Sequence, residues 1–285
     1  MNKSLSSLLP HISDKYGQLC FAIDVGAHHG EFSKFLIKTG LFSKIIAFEP
    51  NLESYLAIKK GIDSGAGCAF EVINSGLSDE SGMSNLYCDE DTATASLLKY
   101  APNYNSNGAI KKSAVVVLTL DEYVEANPGL GKLQFLKIDT QGNDLAVIKG
   151  GGRVISKHRP IIQTEFIYVP LYEDQCSTSE LIRALSELNY IMYSLNNLHA
   201  NSEGRLCFCD AIFIPKELNI PTTQKFHCID DEMSFQSQIQ TLTDICAERL
   251  EVINVLDAEV QRLRNIDSKV SRMGSIFSRL KSWVP

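Results

Sequence analysis

Residues 21–32 read Phe-Ala-Ile-Asp-Val-Gly-Ala-His-His-Gly-Glu-Phe: an apolar run carrying an acid, two glycines four apart, then the start of a helical pattern. That order describes a strand, a tight turn and a helix. In such a turn backbone rather than side chain would approach a ligand. A phosphate loop of the Gly-Lys-Ser/Thr kind is excluded, because no such triplet follows. The dinucleotide pattern G-x-G-x-x-G also fails: counted from Gly26, its second and third glycine positions hold His28 and Glu31. A carboxylate at Asp24 would repel a pyrophosphate. It suits a cationic ligand with an amine and a sulfonium, and Gly26 and Gly30 would let the backbone approach it.

Around this turn short apolar runs alternate with helical patterns. Residues 19–25, 44–48, 69–73, 133–138 and 160–164 read as strands, and residues 31–39, 52–60, 143–149 and 177–189 as helices. Asn51 is placed to cap the second of those helices. The run Gly150-Gly151-Gly152 would close the third. Residues 1–18 read as a short helix and connector. Nearly continuous apolar strands between helices predict a parallel, doubly wound α/β sheet. Two closing strands, residues 190–195 and 205–214, have no helix between them, which predicts a terminal hairpin and one antiparallel strand. Segments 83–88 and 114–119 are strand-like additions. The polar stretch 89–113 between them, with Tyr100 and Tyr104, reads equally as a lid or binding loop or as a disordered insertion.

Ligands in open α/β sheets bind at the carboxyl ends of strands. Asp24, Glu49, Asp139 and Glu165 end four of the predicted strands and are expected to converge on one rim. Glu49 follows Asp24 by 25 residues, an offset at which a strand-tip carboxylate reaches a ribose. The plainer account, that such acids cap the next helix, would by itself explain Asp139. His28 and His29 offer an imidazole near neutrality, although a loop histidine is more often polar filling. Acids together can also hold a divalent metal through oxygen, which makes Asp139 and Glu165 candidate Mg²⁺ ligands. No CxxC or HxH spacing points to zinc.

The net charge of −7 and pI of about 5.4 argue against a nucleic-acid partner. No apolar run reaches the ~20 residues of a spanning helix, and the first residues do not read as a secretory signal. The eight cysteines are scattered, which suggests reduced thiols and a cytoplasmic protein. Beyond residue 230 the character changes. Steps of 3 and 4 from Ile239 to Val270 give ten positions, eight of them apolar with Cys246 counted, a heptad seam interrupted by Arg249 and Asp267. As one helix the tail would run roughly 75 Å. It is expected to form an oligomerising coiled coil over residues 229–285, after a globular domain over residues 1–228; a folded-back helical hairpin is the alternative.

The stretches IDVGAHHGEFS (23–33), AFEPN (47–51), GLSDESGMSNLY (76–87), LTLDEYV (118–124), LKIDTQGNDLAVIKGG (136–151) and DAIFI (210–214) occur in an order that resembles the FkbM family of S-adenosylmethionine-dependent methyltransferases. The resemblance covers residues 20–215. It implies a class I methyltransferase fold, S-adenosyl-L-methionine as cofactor, and O-methylation of a sugar, glycan or other natural-product hydroxyl. It places Asp24, Gly26 and Gly30 at the methionine end of the cofactor and Glu49 at its ribose, with His28 as a further cofactor-binding candidate in the same loop. Ser78 and Asp79 fall near its adenine, and Asp139 faces the transferring methyl and the acceptor. Asp139 and Glu165 are then the candidate catalytic acids. Two positions depart from the family: His28 where Asn is common, and Gln141 where many members carry Glu. A rival from another class is a catalytically degenerate scaffold whose coiled coil recruits partners in glycan assembly.

Overall fold

The structure is a computed structural model that describes residues 3–62, 67–104, 106 and 108–218. The heptad tail and the expected boundary at residues 228/229 lie outside the described residues. The chain divides into units Met1–Asn219 and Ile220–Pro285, and every described element belongs to the first. In chain order these are α1 (Lys3–Tyr16), β1 (Leu19–Val25), α2 (Glu31–Thr39), β2 (Phe42–Phe48), α3 (Leu52–Gly61), β3 (Ala69–Ile73), β4 (Gly76–Leu77), β5 (Gly82–Cys88), β6 (Lys111–Leu118), α4 (Leu120–Ala126), β7 (Leu133–Ile138), α5 (Asp144–Gly150), α6 (Gly152–His158), β8 (Ile161–Ile167), α7 (Thr178–Glu187), β9 (Tyr190–Ala200) and β10 (Leu206–Pro215).

Seven strands form one sheet in the order β3-β2-β1-β7-β8-β10-β9. All pairings are parallel except those of β10, which runs against both β8 and β9. The expected closing hairpin and its one reversed strand are therefore present. Strand order turns outward in both directions from β1 and β7, so the loops after these two strands part and leave a crevice. Strands β1 and β7 are buried on both faces, which is why each reads as a continuous apolar run.

On one face Ile23, Val25, Leu136, Ile138, Ile162 and Phe166 pack against Leu120, Val147, Ile155, Leu181 and Leu185 of α4 to α7. Helix α7 starts with a reciprocal capping box between Ser177 and Glu180. Asn51 caps α3 by accepting from the Ser54 N–H at 3.1 Å. No described helix is long and apolar enough to cross a membrane.

Helix α5 ends at Gly150 with Gly151 as its C-cap, as the glycine run predicts, and α6 begins at once at Gly152. Gly150 also serves close packing: a Cβ there would lie 2.0 Å from the carbonyl oxygen of Ser78. The strand-like additions form a separate three-stranded sheet, β4-β6-β5. Because β6 starts at Lys111, the polar stretch is the connection of the β5–β6 hairpin.

Candidate active site

The turn after β1 is built by backbone. The Gly26 and Ala27 N–H groups both donate to the Phe48 carbonyl, at 3.0 and 3.1 Å, so the tip of β1 is sewn to the tip of β2. His28 follows at φ 50°, a left-handed conformation in which Asn is enriched. The His28 N–H donates to Glu49 Oε2 and the Asn51 N–H to Glu49 Oε1, each at 2.7 Å. One carboxylate thereby ties the turn to the start of α3 and keeps a free lone pair on each oxygen. Burial pushes the Glu49 pKa up to about 7; Asp24 adds to this, while the two N–H donors oppose it. Glu49, Val25, Gly26, His28 and Pro50 form one wall of a cleft. Burial, then neighbouring His29, lowers the pKa of His28.

The opposite wall comes from the hairpin connection. Asp91 caps a single 3₁₀ turn, Thr92–Thr94. Thr92 Oγ1 sits 2.9 Å from His28 Nε2. The Tyr100 and Tyr172 hydroxyls reach the Thr94 carbonyl at 3.0 and 2.9 Å. Tyr100 stacks on Tyr104 at 4.4 Å between ring centres and packs with Tyr172 and Ile167. The described part of this connection is thus a packed cover, and its Thr92, Ala93, Ala95 and Leu97 face Glu49 across the cleft.

Asp24 lies beneath the turn rather than in the cleft wall. It is fully buried. Oδ2 accepts from Ser33 Oγ at 2.7 Å, and Oδ1 faces the Lys137 ammonium at 3.4 Å with no hydrogen-bond donor of its own. Lys137 is 7% exposed and also pairs with Asp139 Oδ2 at 3.1 Å. Burial alone would lower its pKa, but Asp139 and then Asp24 outweigh burial and raise it. Lys137 was not singled out by sequence, yet a signal existed: it is the one charge in the strand Leu133–Ile138, and the parallel register sets it beside Asp24. Gly30 sits at the start of α2, packed on Ile62, outside the cleft wall. In the segment after β3, Gly76 and Leu77 line the cleft, while Ser78 donates to Asp79 at 3.1 Å outside it, so the two residues expected near an adenine are not in the cleft wall.

Asp139 closes the floor with Thr140 and Gln141. Gln141 Nε2 donates to Asp139 Oδ1 at 3.0 Å and to Glu165 Oε2 at 3.1 Å, and so bridges the two candidate acids. Buried Asp144 organises the strand ends by accepting from Thr140 N–H (2.9 Å), Thr164 Oγ1 (2.6 Å) and Glu165 N–H (3.1 Å). The Glu165 pKa is raised by burial first, then by Asp139, Asp144 and Asp210, its cross-strand neighbour. The donor set does not fit Mg²⁺. Asp139 and Glu165 are met by an ammonium and an amide N–H₂, both of which repel a cation. Among the described residues no group of three or more His, Cys, Asp or Glu is arranged to hold a metal.

A mostly parallel sheet with one reversed strand and a cleft at the switch point define a Rossmann-like methyltransferase fold. The family model for the FkbM methyltransferase domain matches residues 24–192, more than half of the sequence, and the chain belongs to that family. No curated protein matches it. Among solved structures it is similar to the methyltransferase FkbM from Methylobacillus flagellatus KT, with 16% identity and a TM-score of 0.42 over 67% of this chain and 43% of that one. The chain therefore spans less than half the length of that protein. It is also similar to magnesium protoporphyrin IX methyltransferase from Synechocystis PCC 6803 with bound S-adenosylmethionine, with 9% identity and a TM-score of 0.40 over 74% of this chain and 78% of that one.

Proposed function

We propose that the chain transfers a methyl group from S-adenosylmethionine to a hydroxyl of a sugar, glycan or other natural-product acceptor. The observation that carries this is the placement of Glu49 and Asp139 on the walls of one cleft at the switch point. The residues fit the cofactor. Glu49 keeps an open lone pair on each oxygen for the two ribose hydroxyls. Leu77, Leu86, Ala95 and Leu97 offer an apolar wall to a flat base. When bound, the cofactor supplies an electrophilic methyl on sulfur and a thioether leaving group. The chain supplies alignment and a proton acceptor. Asp139 on the cleft floor would take the proton of an acceptor hydroxyl aligned with that methyl. Lys137 offers charge pairing to Asp139 but contacts no oxygen of Glu165, so the two acids differ in role.

Isothermal titration of the full chain with S-adenosylmethionine tests the reading, because a degenerate scaffold would give no heat. Glu49→Gln should weaken binding about tenfold or more, the worth of hydrogen bonds to a charged acceptor. An ionised carboxylate accepts more strongly than a neutral one. Affinity should therefore rise as pH rises through about 7, and Glu49→Gln should flatten that rise. With labelled cofactor and a glycan panel, Asp139→Asn should slow transfer about a hundredfold or more while cofactor affinity holds. Full turnover in both Asp139→Asn and Glu165→Gln would remove these acids from the chemistry.

A further inference from the structure

Gln141 is held by three separate parts of the fold. Its Nε2 bridges Asp139 and Glu165, its Oε1 lies 2.9 Å from the Tyr172 hydroxyl, and its backbone carbonyl accepts from Ser96 Oγ at 2.7 Å. Its φ of 55° is left-handed, a conformation that costs a residue with a Cβ about 1–2 kcal/mol and persists only where surroundings over-determine it. The amide orientation is fixed by its partners, since only N–H₂ can face two carboxylates and only the oxygen can face a hydroxyl donor. Tyr172 has one proton and two acceptors at 2.9 Å, Gln141 Oε1 and the Thr94 carbonyl. Both Ser96 and Thr94 belong to the cover over the cleft.

We propose that Gln141 is a positioning residue that couples the seating of the 92–98 cover to the alignment of Asp139 with Glu165. It rests on the assignment of that pair to the acceptor side. With the cover seated, Ser96 and Tyr172 fix both ends of Gln141, and its amide sets the two carboxylates. With the cover lifted, the Ser96 anchor is lost and Tyr172, released from Thr94, holds Gln141 by its side-chain end alone, so the bridge between the pair is no longer fixed. The proton acceptor is therefore aligned only when the cleft is covered and water is excluded. A Glu here would set a third carboxylate against Asp139 and Glu165 and lose the donor end.

The test is amide hydrogen exchange of the full chain, with neither cofactor nor acceptor, so it stands apart from the S-adenosylmethionine titration. Gln141→Leu and Glu165→Leu should each speed exchange at residues 94–98 about tenfold, the scale of one lost hydrogen bond to a charged group. The double variant should exchange no faster than either single one, as a shared link requires. Tyr172→Phe removes only a hydroxyl and should give the same cycle with Glu165→Leu, so the test survives a Gln141 variant that fails to fold. Gln141→Glu should also loosen the cover at neutral pH. After correction for intrinsic rates, it should regain protection in acid, where protons relieve the charge of Glu165, Asp144 and Asp210, whose pKa values burial raises. Wild-type exchange at the cover in Glu165→Leu, effects that multiply in the double variant, or a rise shared equally by β1 and β7 would overturn the proposal.

Discussion

Gly26→Ala is expected to abolish S-adenosylmethionine binding and to cost about 2–5 kcal/mol of stability, the sum of overpacking and left-handed strain. A Cβ at residue 26 would lie 1.9 Å from the Asp139 carbonyl oxygen, and Gly26 has a φ of 73°. Neither side can yield cheaply. The Asp139 N–H donates to the Val25 carbonyl at 3.1 Å, and Val25 is in register with Ile138, so β1 and β7 are locked on both sides of the clash. The tips of these strands carry Glu49's partner loop and Asp139. Forcing them apart therefore damages the Glu49 wall of the cleft and its floor together. Gly61→Ala is the control. Nothing lies within 4 Å of its added Cβ and it ends helix α3, so it should be neutral or stabilise slightly. Urea unfolding and cofactor titration on both variants make the comparison. Retained affinity in Gly26→Ala would mean that the β1–β7 contact does not shape the site.

What the sequence told of this molecule was local. Strands buried on both faces read as apolar runs, Asn51 read as a cap, and the closing hairpin showed as two strands with no helix between. Glu49 read as an acid at a strand tip on the rim, and it lines the cleft. The rest depended on partners distant in sequence. Gly150 read as a helix stop, and α5 does end there, but the Ser78 carbonyl that passes over it was not readable. Asp24 read as a cleft residue, and the fold gives it Ser33 and Lys137 beneath the turn. The polar stretch 89–113 left lid and disorder equally open, because its composition hides that Tyr100 buries itself against Tyr172 from beyond β8. Gln141 showed only as a departure from a motif. Its use needs Asp139, Glu165, Tyr172 and Ser96 in one place.

Lys137→Met is expected to destabilise the folded chain by about 3–5 kcal/mol, the usual consequence of removing one partner from a buried ion pair. The side chain volume is nearly kept, so packing is not the cause. What changes is charge: Asp24 would retain only the Ser33 hydroxyl, with Oδ1 facing no donor, at a position with no solvent. Asp139 would lose its cation and face Glu165 through the Gln141 amide alone. Because the neighbouring acids raise the Lys137 pKa, its contribution is fully present below the unfolded lysine value of about 10.4 and is lost only as pH rises through the higher folded value. The wild-type chain should therefore show no loss from this group between pH 6 and 9. Adding Asp24→Asn to Lys137→Met should recover part of the stability, since the buried charge is then gone from both sides. If Lys137→Met unfolds at the wild-type urea midpoint, the ammonium is not what holds Asp24 beneath the turn and Asp139 at the cleft floor. If Asp24→Asn adds its own loss instead of repairing the first, Asp24 and Lys137 act independently, and the three-charge cluster is not the support on which the turn rests.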